Sequence, residues 1–84
     1  MQPTKLDSSL LASVQYDPPR RYLDVEFRSA QRYRYFNVPA RRYQELLRAE
    51  SKGRYFNRSI RNCFPYRNLS RPSAPLVLVV GKTK

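Results

Sequence analysis

Histidine and tryptophan are absent from this 84-residue chain, glycine occurs twice and cysteine once, at Cys63. Without histidine the commonest general base is missing, along with most zinc-ligand patterns, and a single thiol excludes any disulfide within the chain. Acidic residues are scarce as well: six Asp or Glu stand against seventeen Lys or Arg. They form no convergent carboxylate pair, so no catalytic residue, metal ligand or cofactor site is expected. Asp7 with Ser8 and Ser9 is a polar cluster that reads as turn chemistry ahead of a strand. The longest wholly apolar run, residues 76–80, is far short of the roughly 20 residues that cross a bilayer. No basic segment followed by an apolar run opens the chain, so no secretory signal is expected, and the cysteine usage fits a reducing cytoplasm. A chain this short forms one small domain with a modest core and no deep enclosed active site.

What is abundant is positive charge. The formal net charge is +11, and from Ser51 onward there are eight Lys or Arg and no acid, which places +8 in the last 34 residues. At about 100° per residue, Arg54, Arg58 and Arg61 cluster on one side of a helix, while Phe56, Ile60 and Cys63 lie opposite. The spacing predicts a second helix capped by Ser51 and ending near Phe64 before Pro65, with Cys63 a buried, inert thiol. Its basic stripe, extended by Lys52, Arg67 and Arg71, reads either as a solvated face or as a polyanion-binding surface. Arginine outnumbers lysine thirteen to four, and a guanidinium grips phosphate in two places or stacks on bases. Ser51, Lys52 and Gly53 resemble a minimal phosphate cradle, without the full glycine-rich loop of nucleotide-binding proteins. Gly53 reads more readily as close packing, and Asn57 and Asn68 as polar contacts or local caps.

Three strands precede the helices. Residues 9–16 alternate imperfectly, with Leu10, Ala12, Val14 and Tyr16 on one side. Residues 21–28 alternate cleanly, with Leu23, Val25 and Phe27 against Asp24, Glu26 and Arg28. Residues 31–38 form the third strand. Pro39 then opens a helix striped by Tyr43, Leu46 and Leu47 and running to about Glu50. The fold class is α+β: a three-stranded antiparallel meander followed by two helices packed on one face. A two-residue loop between the second and third strands would drive Arg34 into the core. A three-residue loop, Arg28-Ser29-Ala30, instead sets Tyr33 and Tyr35 with the apolar row and sets Arg32 and Arg34 across from Glu26 and Asp24. That loop wants a left-handed last residue, which makes Ala30 a site of mild strain. Tyr33 and Tyr35 then pack in the core, leaving Tyr22 and Phe36 as candidate base-stacking groups on the opposite, open face.

The run Tyr33-Arg34-Tyr35, with Val38-Pro39, Tyr43, Leu46, Ala49, Ser51, Gly53, Phe56, Asn57, Ile60 and Arg61 in order behind it and Ser8-Ser9, Tyr16-Asp17, Val25 and Phe27 ahead of it, resembles the KTSC domain. That short bacterial module is named for its place at the C-terminus of some lysyl-tRNA synthetases, and this chain looks like its stand-alone form. The resemblance covers residues 8–66 and marks Tyr33 and Tyr35 as the core motif; family members usually carry Gly where this chain has Ala30. It implies the βββαα fold, and attached to it is only a suggestion of RNA binding. Residues 1–7 then read as an N-terminal tail, and residues 67–84 as a Pro, Ser and Arg linker followed by a short apolar strand or tail. The leading expectation is a non-catalytic RNA or nucleic-acid binding module using Lys52, Arg54, Arg58, Arg61 and Arg67 with little sequence preference. The alternative is a protein-interaction module that docks on an acidic protein or a ribonucleoprotein through its sheet face or C-terminal strand.

Overall fold

The computed structural model describes residues 3–70 together with 76 and 77. In chain order it contains β1 (Thr4–Lys5), β2 (Leu11–Asp17), β3 (Tyr22–Phe27), β4 (Arg32–Tyr35), α1 (Ala40–Arg48), α2 (Lys52–Ser59) and β5 (Tyr66–Asn68). The strands form one antiparallel sheet ordered β1-β2-β3-β4-β5. The expected three-strand meander is therefore the centre of a five-stranded sheet. Residues 4–5, within the segment expected as a tail, pair with β2, and β5 pairs with β4. Both added strands are too short to show alternation; they satisfy backbone groups that β2 and β4 would otherwise leave unpaired.

The β3–β4 hairpin has the three-residue loop. Phe27 N–H donates to the Gln31 carbonyl and Ala30 N–H to the Phe27 carbonyl, both at 2.9 Å, and Ala30 sits at φ 75°. Leu23 pairs with Tyr35, Val25 with Tyr33, Asp24 with Arg34 and Glu26 with Arg32. Apolar side chains thus share one face and the charges share the other.

The imperfect alternation of β2 has a different cause. A bulge between Leu11 and Ser13 leaves Ala12 as the extra residue, so Leu11, Val14 and Tyr16 face the core. The register predicted from Leu10 and Ala12 is displaced by one residue at that end. β4 stops at Tyr35 rather than Val38 because Asn37 adopts φ 63°, a left-handed geometry that Asn tolerates better than most residues. Val38 is nevertheless fully buried, its N–H donates to the Arg21 carbonyl at 3.0 Å, and its own carbonyl accepts the Tyr16 hydroxyl.

Both helices cover the apolar face. Tyr43 of α1 stacks on Tyr16 with centroids 5.0 Å apart, and Leu46 is fully buried. Phe56 of α2, also fully buried, meets Phe27 and Tyr35 edge to face at 5.5 Å. Ser51 caps α2 as expected, its Oγ accepting the Arg54 N–H at 3.3 Å. The helix, however, closes at Ser59 instead of near Phe64. Ile60 and Arg61 N–H groups both converge on the Phe56 carbonyl, at 3.0 and 2.9 Å. Two constraints explain this early end. Pro65 has no N–H to donate to Arg61 and disfavours a helical Phe64, and the chain must reverse to lay Tyr66 beside Tyr35. Cys63 consequently leaves the apolar stripe and is exposed, which corrects the expectation of a buried thiol.

Replacing Ala30 by Gly relieves the left-handed strain at an exposed loop tip. We expect the Ala30→Gly domain to be more stable by something under about 1 kcal/mol. Urea unfolding monitored by circular dichroism reads this directly, and a lower midpoint would contradict the strain assigned to Ala30.

Candidate nucleic-acid interface

The basic residues expected to act together are divided among three places. Arg54 and Arg58 are exposed on α2, but the turn between the helices brings Glu45 and Glu50 into the same groove. Glu45 is already engaged: it accepts the Tyr55 hydroxyl, and Arg42 donates to it at 3.3 Å. Those contacts, led by Tyr55, hold its carboxyl below the usual range. Lys52 turns back, its Nζ donating to the Ala49 carbonyl at 2.9 Å at the end of α1. The groove beside Ser51, Lys52 and Gly53 also carries Asp7 and Glu50, whose charge opposes a phosphate there. A Cβ built on Gly53 would lie 3.4 Å from the Leu10 Cβ and 3.7 Å from the Ser8 Oγ, so α2 packs closely on that segment without excluding alanine.

Arg67 lies on the other side of the sheet. It pairs in register with Arg34, whose guanidinium makes a two-pronged bond to Asp24 at 2.8 and 3.0 Å. Arg34 also lies over the Tyr22 ring, 4.7 Å from its centroid, and Phe36 meets Tyr22 edge to face at 5.1 Å. The candidate stacking pair is thus largely occupied with itself and with Arg34. Arg71 lies outside the described residues, as do residues 78–80 of the expected C-terminal strand. Of that strand, Val77 is seen bridging Tyr66, with Leu76 and Val77 both exposed.

Arg61 borders a site that no motif in the chain announces. Beyond the last turn of α2, the helix-facing side of β3, β4 and β5 opens into a cleft of about 410 Å³, with Tyr35 at its floor, Phe27, Tyr33 and Tyr66 on its walls, and Arg28 and Arg61 at its edges. The aromatic rings contact one another: Tyr33 and Tyr66 at 5.3 Å, Tyr35 and Tyr66 at 5.4 Å, Phe27 and Tyr33 at 5.4 Å. Arg28 is fixed by two backbone carbonyls, Ser8 at 2.9 Å and Leu6 at 2.8 Å, and Arg61 donates to Asn57 at 3.0 Å. These partners orient the guanidiniums without cancelling their charge. No Asp or Glu lines this cleft, whereas three further clefts carry Glu45 and Glu50, Asp24 and Glu26, or Asp7 and Glu50. No sequence pattern marks it, because Tyr66 and Arg61 reach it only through the early end of α2 and the pairing of β5. Among the described residues no group of three or more His, Cys, Asp or Glu is placed to hold a metal ion, and no helix is long and apolar enough to cross a membrane.

The chain as a whole is similar to several known proteins. Residues 7–64 match the profile of the KTSC domain. A KTSC domain protein from Yersinia pestis has a crystal structure that superposes with a TM-score of 0.79 at 38% identity, covering 81% of this chain and 96% of that one. An uncharacterized protein of Stutzerimonas stutzeri is 49% identical over 57 residues, 68% of this chain and 80% of its own length. A lysine–tRNA ligase from a Nostoc species is 39% identical over 66 residues; the match spans 79% of this chain but 12% of the ligase.

The buried Tyr35 phenol sets an alkaline limit on the fold. Burial raises its pKa well above the ordinary 10.0, with Arg61 opposing part of that rise. A group whose pKa is raised on folding contributes fully below its unfolded value and loses that contribution as the pH climbs. Denaturant stability is therefore expected to fall from about pH 10 upward, and to fall less steeply in Tyr35→Phe. Urea midpoints for both chains across that range test this, and parallel slopes would rule it out.

Proposed function

We propose that this chain, which belongs to the KTSC domain family, is a small non-catalytic module that binds nucleic acid, RNA foremost, through its phosphates with little sequence preference. The observation that carries this reading is the cationic charge left after internal pairing. The described residues make three ion pairs, Arg20 with Asp17, Arg34 with Asp24 and Arg42 with Glu45, and none of them uses Arg28, Arg54, Arg58, Arg61 or Arg67. Arg28, Arg54, Arg58 and Arg61 are exposed on the helix-bearing side, where a polyanion would find donors not already committed to carboxylates. Kinship with a segment of the Nostoc enzyme, whose name says that it acts on tRNA, supports RNA as the polyanion. The absence of histidine from the sequence supports a binding role over a catalytic one.

A second reading, docking of a partner protein, is favoured by one feature: Leu76 and Val77 are each 39% exposed beside the edge strand β5. Salt separates the two, because phosphate binding weakens steeply with ionic strength and burial of an apolar strand does not.

Fluorescence anisotropy of a short single-stranded RNA is expected to show binding that weakens sharply between about 50 and about 200 mM salt. The triple variant Arg54→Ala, Arg58→Ala, Arg61→Ala should lower the affinity and flatten the log–log salt slope by about 2, at roughly 0.7 for each phosphate no longer neutralised. Binding unchanged in a folded triple variant would remove these arginines from the site.

A further inference from the structure

The aromatic cleft takes the nucleic-acid reading further. Resting on that reading, we propose that the cleft accepts one unpaired nucleobase of a bound strand, stacked against Tyr33 and Tyr66, while Arg61 and Arg28 hold the adjoining phosphate. Three observations converge on this occupant. The walls are aromatic and half-buried, so each ring offers part of its surface to a flat ligand without being free to swing away. Both cations at the edge are oriented by neutral partners, and no carboxylate lines the cleft, so the favoured ligand is anionic as well as flat. The volume, about 410 Å³, falls within the roughly 300–1,000 Å³ of small-ligand sites and is more than a lone phosphate needs.

A base paired within a duplex cannot enter such a cleft without first leaving its stack. Charge alone attracts single strands and duplexes alike, whereas the cleft adds affinity only for the former. The two contributions are therefore separable by experiment. The sheet is again the aromatic platform, but on the helix-bearing side, where α2 stops short and leaves Tyr33 and Tyr66 uncovered, and not on the open side where Tyr22 and Phe36 lie.

The test uses the full chain at low salt with two probes: a short oligouridine strand carrying one central 2-aminopurine, and an RNA duplex of matched charge. Expected are quenching of 2-aminopurine fluorescence on binding and tighter binding of the single strand. Tyr66→Leu should lower single-strand affinity by about 5- to 100-fold and leave duplex affinity within about twofold, while Tyr66→Phe, which keeps a ring, retains the preference. If Tyr66→Leu does not fold, Tyr33→Leu and the quenching seen with the unaltered chain decide the matter. Equal binding of both probes with unchanged fluorescence overturns the base site and leaves the phosphate reading standing. If neither probe binds at low salt, the phosphate reading is overturned and the base site falls with it.

Discussion

The β3–β4 hairpin turns through Arg28, Ser29 and Ala30, and because that loop holds an odd number of residues, Tyr33 and Tyr35 lie beside Val25 and Leu23 instead of beside Glu26 and Asp24. Most of the domain depends on this parity. With the tyrosines inward, Phe56 finds Phe27 and Tyr35 at edge-to-face distance and can seal α2 onto the sheet. With the arginines outward, Arg34 reaches Asp24 in a bidentate pair and covers Tyr22. A slip by one residue would bury Arg34 unpaired and expose both tyrosines, a change that costs far more than a left-handed alanine. The strain at Ala30, φ 75°, is the small local consequence of that preference.

The second constraint is the place where α2 stops. Two turns of helix suffice to seat Phe56 and Ile60, both fully buried, and a longer helix would carry the chain past the edge of β4. Ending at Ser59 lets residues 60–65 double back so that β5 can pair with β4. The same reversal brings Arg61 beside Tyr35 and leaves Tyr33 and Tyr66 without helical cover. Core formation and the opening of the cleft are thus two results of one chain reversal.

The sequence is most informative where the pattern is local. Alternation in residues 22–27 and the cost of burying Arg34 are enough to derive the hairpin register residue by residue, and Tyr43 and Leu46 mark the buried side of α1. It is less informative where distant segments meet. The bulge at Ala12 depends on what Leu11 finds across the ladder, and the two edge strands are too short to carry a period. Charge misleads for the same reason: no acid follows Ser51 in sequence, yet Glu45 and Glu50 line the groove of Arg54 and Arg58. Arg67 falls in with the α2 stripe by proximity along the chain, whereas strand parity sends it to the opposite face, beside Arg34.

That redistribution limits how strongly such a module can bind. Under the phosphate reading, the helix-bearing side offers six exposed arginines outside the three ion pairs, Arg28, Arg41, Arg48, Arg54, Arg58 and Arg61, and three of them, Arg48, Arg54 and Arg58, share a groove with carboxylates. Few released counterions give modest affinity and a correspondingly shallow salt slope. A domain with so limited a charged surface gains useful affinity in two ways. One is a contact that does not depend on salt, and a base stacked on tyrosine is such a contact. The other is attachment to a larger binder, which turns a weak encounter into an intramolecular one. Two relatives of contrasting length illustrate the second route: the Stutzerimonas protein is matched over 80% of its length, whereas in the Nostoc ligase the matched segment is 12% of the chain. In this chain, under this reading, the cleft beside Tyr33 and Tyr66 is where the first kind of contact would be made, one whose strength does not rest on released counterions.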